Sequence, residues 1–293
     1  MKDTNDSEVT EFLIVGFPGF RDQESRRTLF GVFLTVYLFT LAGNILLIAI
    51  FACDRTLHTP MYILVCGLAV LDIAISTNTL PSMLVVLILE YRIVPLAACF
   101  TQTMFLTGLF STECFLLTLM AYDRYVAICY PLHYPNLQSI TLGFALRLSF
   151  CKVTNVIYVF CDFGSLLFIA CGDIQISNSA ILFFPMSVLF TPLVLILFSY
   201  VRIIYSVFRI ASKEGRMKAF YTCGTHMLVI FVFFLTAAGV LISDRIPSTS
   251  KDTRILGLIV RNVFPSLMNP VIYCLRTKEI RSSLRKMLKK VKY

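Results

Sequence analysis

Long uncharged stretches recur along the chain. Residues 28–53, 174–201 and 219–243 carry no charge, while 59–89 carries only Asp72, 93–122 only Glu113 and 255–275 only Arg261. About 20 apolar residues cross the hydrocarbon core of a bilayer as one α-helix, so these six stretches predict six membrane spans. The pattern shows no internal repeat, low-complexity tract or heptad seam.

The segment between the third and fourth of these stretches is different. Residues 134–146 are uncharged but begin with Pro135-Asn136, and Arg147, Lys152 and Asp162 then interrupt the residues up to 171. An apolar run this short suits a re-entrant or interfacial segment better than a span. Forcing 153–171 across would place Asp162 near its middle, at a cost of about 2.5–3.5 kcal/mol. A further span over 140–171 is therefore a poor one.

Parity bears on that segment. An N-terminal sequon at Asn5 has meaning only outside the cell, whereas the last residues carry eight Lys and Arg against the single acid Glu279. Such a tail beside an apolar segment marks the cytoplasmic end and contact with anionic lipid. Opposite sides for the two termini need an odd number of spans. The expected division is an extracellular N-terminus over 1–27, a transmembrane bundle over 28–275 and a basic cytoplasmic tail over 276–293.

Composition agrees with a membrane setting and excludes a large soluble catalytic domain. The 293 residues are 57% hydrophobic and 15% charged, with a net charge of +9 and a mean hydropathy of +0.80. Soluble domains carry about 25% charged residues. In a soluble protein the basic tail would suggest nucleic acid; beside a span it suggests lipid. Of ten cysteines, Cys99, Cys151, Cys161 and Cys171 sit at or beyond the edges of the apolar runs. No metal-binding spacing joins them, so extracellular disulfides are expected, with three possible pairings among four cysteines. Only three histidines occur, and none has a nucleophile partner in a recognisable motif; an enzyme is not expected.

Three motifs stand out: MAYDRYVAIC (120–129), KAFYTCGTH (218–226) and PSLMNPVIY (265–273). An Asp-Arg pair at the edge of a span is costly unless it pairs or faces water, and so marks function. Its ordinary alternative is a helix-end snorkel. Pro270 removes a ladder hydrogen bond, and the adjacent Asn269 is a candidate to re-satisfy the freed backbone.

With Gly43-Asn44, PMYILVCGLAVLD (60–72), Ser199-Tyr200, LRTKEIR (275–281) and FLIVGFPG (12–19), these motifs resemble the odorant receptor family of rhodopsin-like G-protein-coupled receptors, of the kind seen in fish. The resemblance covers nearly the whole chain. It implies an all-α integral membrane fold, a seven-helix receptor bundle in the plasma membrane, that binds a small odorant and activates a stimulatory heterotrimeric G protein.

The resemblance also implies roles for individual residues. Asp123 and Arg124, with Tyr125, form the element that a G protein captures, and Tyr200 and Tyr273 line the opened inner cavity. Lys218, His226, Asn269 and Pro270 belong to the same activation machinery. Cys99 pairs with Cys161, which leaves Cys151 with Cys171. Asp72 and Glu113 match two intramembrane acids. One protonated, hydrogen-bonded carboxyl would explain each, and two at similar depth also suit a sodium ion; no other cofactor is expected. The odorant pocket lies between the outer halves of helices three, five, six and seven. Its inward positions on the third and fifth are Leu106, Thr107, Phe110, Ser111, Phe184 and Val188. Those on the sixth and seventh are Phe234, Ala237, Ala238, Leu241, Ile259 and Asn262. Arg261 has no counterpart in the family; it is either a counter-ion for an acidic ligand or a snorkelling residue.

The chain departs from the family in one place. Cys151 lies only 27 positions after Arg124, an interval where the family holds a loop and its entire fourth helix, and the helix's usual tryptophan is missing from a chain with no Trp at all. The fourth helix is therefore expected to be truncated or missing. Two other readings stay open: a non-signalling product lacking helix four, and, more remotely, a six-span channel or transporter, for which no pore motif or inverted repeat is found.

Overall fold

The computed structural model describes residues 11–20, 22–89, 91–129, 174–209, 212–246 and 248–291. The expected span over 140–171, Asn5, and Cys151, Cys161 and Cys171 all lie outside the described residues.

In chain order the elements are β1 (Glu11–Val15), α1 (Gln23–Cys53), a 3-10 turn (Arg55–Leu57), α2 (Pro60–Leu89), β2 (Tyr91–Pro95), α3 (Leu96–Cys129), α4 (Ile174–Phe208), α5 (Lys213–Arg245), α6 (Lys251–Arg276) and α7 (Lys278–Val291). Six of the helices, α1 to α6, are long and apolar enough to cross a membrane. They keep large apolar side chains on their outer faces, among them Phe39, Phe105, Phe198, Val201 and Phe231. In water such surface would be a liability; facing lipid it is what a span presents.

Local chemistry sets several ends. Asp22, Ser212 and Ser250 cap α1, α5 and α6 by accepting from Ser25, Gly215 and Thr253 backbone N–H groups respectively, which satisfies amides that have no partner within a first helical turn. The helices overrun the uncharged runs: α1 takes in Arg26 and Arg27, and α5 begins at Lys213.

A two-stranded sheet is the exception to an all-α chain. β1 and β2 pair antiparallel, with Leu13 opposite Ile93 and Phe12 opposite Val94. Residues 93–95, read from sequence as the start of the third span, therefore belong to a strand. Pro95 explains the change, because a proline holds the residue before it in extended backbone. Ile14, Phe17 and Val94 are buried together with Leu80, Met83, Leu84 and Leu87 of α2 and Ile255 and Leu258 of α6. The N-terminal segment thus seals one end of the bundle, here the sheet end, and Asp252 of α6 ties it down by accepting the Gly19 N–H at 3.2 Å.

The opposite, basic end carries α7. Asp54, just past α1, accepts from Ser283 of α7 at 2.6 Å. The ends of α3 and α4 are placed there too: Cys129 Sγ lies 3.1 Å from Ser206 Oγ. α3 and α4 therefore run in the same direction. The chain leaves α3 at the basic end, and α4 spans 35 residues from Ile174, about 52 Å at the rise of an α-helix, back to that same end. β1 and α7 consequently sit at opposite ends, the arrangement that an odd number of crossings requires. A strictly alternating six-span bundle is not what these helices form.

Candidate functional site

Three layers of the bundle hold the residues singled out from sequence. At the basic end, Asp123 and Arg124 close α3. The Arg124 guanidinium lies 3.7 Å from the Asp123 carboxylate, and both side chains are largely buried. Arg124 borders a cavity of about 990 Å³, whose rim includes Tyr62, Tyr221, Lys213, Glu214, Arg276, Lys278 and Glu279. Four cations face two acids there, so the cavity favours an acidic partner. Arg276 and Lys278 stand 5.9 and 5.8 Å from the Tyr221 ring centre, linking α5 to the α6–α7 elbow.

Tyr125 is half-buried beside Tyr122, with ring centres 6.2 Å apart. Tyr200 and His226 meet across α4 and α5: the phenol oxygen lies 2.7 Å from His226 Nδ1, and both residues are buried. Tyr273 is fully buried, its hydroxyl without a hydrogen-bond partner. In this structure neither tyrosine is among the residues lining the cavity at Arg124. The Lys218 side chain lies outside the described residues.

The middle layer is polar and buried. Asn269 donates its Nδ2–H to Asp72 Oδ2 at 2.9 Å, so it does not serve the backbone freed by Pro270. That carbonyl, Ser266 O, is four residues earlier in α6 and accepts instead from Asn44 of α1 at 2.9 Å. The proline leaves an orphan acceptor, and the nearest buried amide comes from a neighbouring helix. Gly43 permits the approach, since a Cβ there would stand 2.9 Å from Pro270 Cγ.

Asn44 Oδ1, Asp72 Oδ1 and Asn269 Oδ1 are buried without hydrogen-bond partners. Oxygens of this kind, one of them on an acid, are the donor chemistry a hard cation takes. Glu113 is buried on α3 and interacts electrostatically with Asp72 and Arg261. Among the described residues no group of three His, Cys, Asp or Glu side chains could hold a metal.

Toward the sheet end lie the candidate pocket residues. Phe110 stacks on Phe233, with centres 5.2 Å apart, and Phe233 meets Phe234 edge to face. Val188, Ala237 and Leu241 share that apolar cluster. Leu106 and Ile259 pack instead into the core beneath the sheet. Thr107, Ser111 and Ala238 are half-buried, and the Ser111 hydroxyl donates back to the Thr107 carbonyl. Asn262 is buried and accepts from Arg261 Nε at 3.1 Å. The Phe184 side chain lies outside the described residues. Cys99 is disulfide-bonded.

Sequence reasoning missed two features at the basic end. One is Tyr221 between its two cations. The other is Asp54, which accepts from Ser283 and from both the amide and hydroxyl of Thr56, with Lys286 at 3.6 Å. The hydrogen bonds from Ser283 and Thr56, with a smaller contribution from Lys286, hold its carboxyl below the usual range. A lone acid just past the first span gives no sign in sequence of which serine it will meet.

Residues 33–291 match the olfactory receptor family. The chain is 36% identical to olfactory receptor 2A25 of Homo sapiens over 307 positions, covering 98% of each. It is also 36% identical to the olfactory receptor-like protein OLF4 of Canis lupus familiaris over 300 positions, and 35% identical to olfactory receptor 2A7 of Mus musculus over 301, covering 96% of each chain in both cases. These relatives are mammalian, so they add nothing to the likeness to fish receptors. Each alignment is longer than the 293-residue chain, so relatives carry residues that this chain lacks. In fold, the chain is similar to squid rhodopsin, with a TM-score of 0.72 at 18% identity over 93% of this chain and 84% of that one.

Proposed function

The chain belongs to the olfactory receptor family of G-protein-coupled receptors, multi-pass plasma-membrane signalling proteins and not enzymes, and on that premise we propose that an odorant held between α3, α4, α5 and α6 switches coupling to a stimulatory heterotrimeric G protein. These four helices correspond to helices three, five, six and seven of the family. The readings as a non-signalling product or a channel gain no support from these matches.

The observation that carries the reading is Arg124, paired with Asp123 at the edge of a cavity of about 990 Å³. A marginal ion pair at the edge of a cavity is a two-state element that an entering partner can bias. The cavity's excess of cations suits an acidic or carboxylate-ended segment of that partner. Excess Lys and Arg at this end support reading it as the cytoplasmic side, and α7, with Arg285, Lys286 and Lys289 exposed, suits anionic lipid headgroups.

Asp72 and Glu113 remain the proposed sodium site, with the unpartnered side-chain oxygens of Asn44 and Asn269 as further donors. A sodium ion there would offset the buried Asp72 carboxylate. Raised thermal stability in sodium chloride over choline chloride, lost in Asp72→Asn, is the expected result. Cys99–Cys161 and Cys151–Cys171 remain the proposed disulfides, and Asn5 the proposed glycosylation site.

The test is an odorant panel on cells that carry a stimulatory G protein. Wild type should raise cAMP, cells lacking the stimulatory α subunit should not, and Arg124→Ala should abolish the response at equal surface display. A response that survives Arg124→Ala would remove the role given to that residue; one that persists without the α subunit would change the G-protein class.

A further inference from the structure

Arg261 is the one charge in the apolar run of α6 over residues 255–275, and a charge at such a position is retained when it faces the bundle interior or a partner. A snorkelling arginine would carry its guanidinium along the lipid face to the membrane surface. Arg261 does otherwise. It is half-buried, its guanidinium lies 5.0 Å over the Phe110 ring of α3, and its Nε donates to Asn262. Phe110 in turn stacks on Phe233 of α5. The guanidinium therefore sits inside the bundle, at the polar edge of an aromatic wall that α3 and α5 build.

Beside it, Asn262 Nδ2 is a buried N–H donor without a partner. Guanidinium and amide together present donors against walls of Phe110, Phe233 and Phe234. We propose that the ligand of this receptor is an organic acid, its carboxylate taken by Arg261 and the Asn262 amide and its hydrocarbon tail packed on that aromatic wall. The proposal rests on reading this region as the odorant pocket and names the ligand class for it.

The chemistry comes from the shape of the two groups. A guanidinium and a carboxylate meet through two parallel N–H···O bonds, stronger than neutral hydrogen bonds and specific in direction. An alcohol of the same length takes up the apolar wall and one amide bond only, and an amine meets a like charge. Glu113, three residues beyond Phe110 on α3, is a titratable group in whose field Arg261 lies, and Cys114 beside it is another. The ligand's carboxylate exchanges for contacts that the guanidinium already has, so discrimination by potency is expected and not an all-or-none effect.

The test uses the full-length receptor at the cell surface with octanoate, 1-octanol and octylamine at neutral pH, read as cAMP and normalised to surface staining. Octanoate should be the most potent of the three. Arg261→Met should weaken octanoate by about tenfold or more and leave 1-octanol nearly unchanged, while Arg261→Lys keeps part of the preference. Equal potency of octanoate and 1-octanol on wild type overturns the proposal, as does an Arg261→Met variant that loses both alike, since that is a structural role. Responses to neutral odorants alone leave the receptor reading standing and remove acid selectivity; silence to acids and a neutral panel alike, with wild type displayed at the surface, removes both.

Discussion

Asn44 of α1 donates its side-chain N–H to the Ser266 carbonyl of α6 at 2.9 Å, and Ser266 is the residue whose carbonyl Pro270, lacking an N–H, leaves without a ladder partner. The bond is a replacement made between helices for one that proline removes within a helix. It also explains the neighbouring glycine, because Gly43 lets α1 approach Pro270 closely enough for Asn44 to reach.

Asn44→Ala should strand that carbonyl in a buried core and lower stability by about 1–3 kcal/mol. Gly43→Ala should cost a similar about 1–3 kcal/mol through overpacking against Pro270. Pro270→Ala restores an amide to the ladder, so the loss from Asn44→Ala should shrink in that background. Thermal unfolding of wild type, the two single variants Asn44→Ala and Pro270→Ala, and their double variant gives the coupling; additive losses would show that Asn44 acts elsewhere.

The contact between Asn269 and Asp72 joins α6 to α2 at 2.9 Å with a defined donor and acceptor. Asp72→Ala and Asn269→Ala should each lower the melting temperature, and the exchanged pair Asp72→Asn with Asn269→Asp should recover part of it. Recovery absent in the exchange would mean that the charge must stay on α2.

How much of this was legible in sequence differs by kind of interaction. The bilayer imposes a local rule, long stretches without charge, and so α1 to α6 stand out and Asp72, Glu113 and Arg261 stand out within them. Pairings between distant segments obey no such local rule. Nothing in FLIV and YRIV distinguishes strands from the ends of spans until Leu13 meets Ile93 across 80 residues. Likewise Pro270 predicts an orphan carbonyl, but which amide fills it depends on how α1 packs; the adjacent Asn269 is turned to Asp72 instead. Arg261 was visible as an anomaly, yet only its place over Phe110 decides between lipid surface and bundle interior.

Asp54 gives a prediction with a pH sign. Its carboxyl is held below the ordinary range by bonds from Ser283 and Thr56. A depressed folded pKa means that the ionised form is favoured by the fold, so the stabilisation is complete above the ordinary carboxylate pKa of about 3.9 and is lost as pH falls toward the folded value. Hydrogen exchange of α7 amides should therefore be insensitive to Asp54 ionisation from neutral to mildly acid pH. Ser283→Ala should loosen α7 at all of these pH values and bring its acid transition upward. Unchanged exchange in Ser283→Ala would show that Asp54 does not anchor α7.

Tyr221 gives the last prediction, because it holds two elements together at the edge of the cavity where the G protein is proposed to enter. Its ring, on α5, lies under Arg276 of α6 and Lys278 of α7 at 5.9 and 5.8 Å. Exposed contacts of this kind contribute about 0.5–1 kcal/mol each. Losing about 1 kcal/mol from the closed arrangement alone raises the open population about fivefold, since about 1.4 kcal/mol is a factor of ten. Tyr221→Ser should therefore raise cAMP in the absence of odorant by a few-fold. Tyr221→Phe keeps the ring face and should stay near wild type, and Arg276→Gln should move part of the way toward Tyr221→Ser. If serine leaves the basal signal unchanged, or phenylalanine raises it as much, the aromatic contact does not hold the cavity closed.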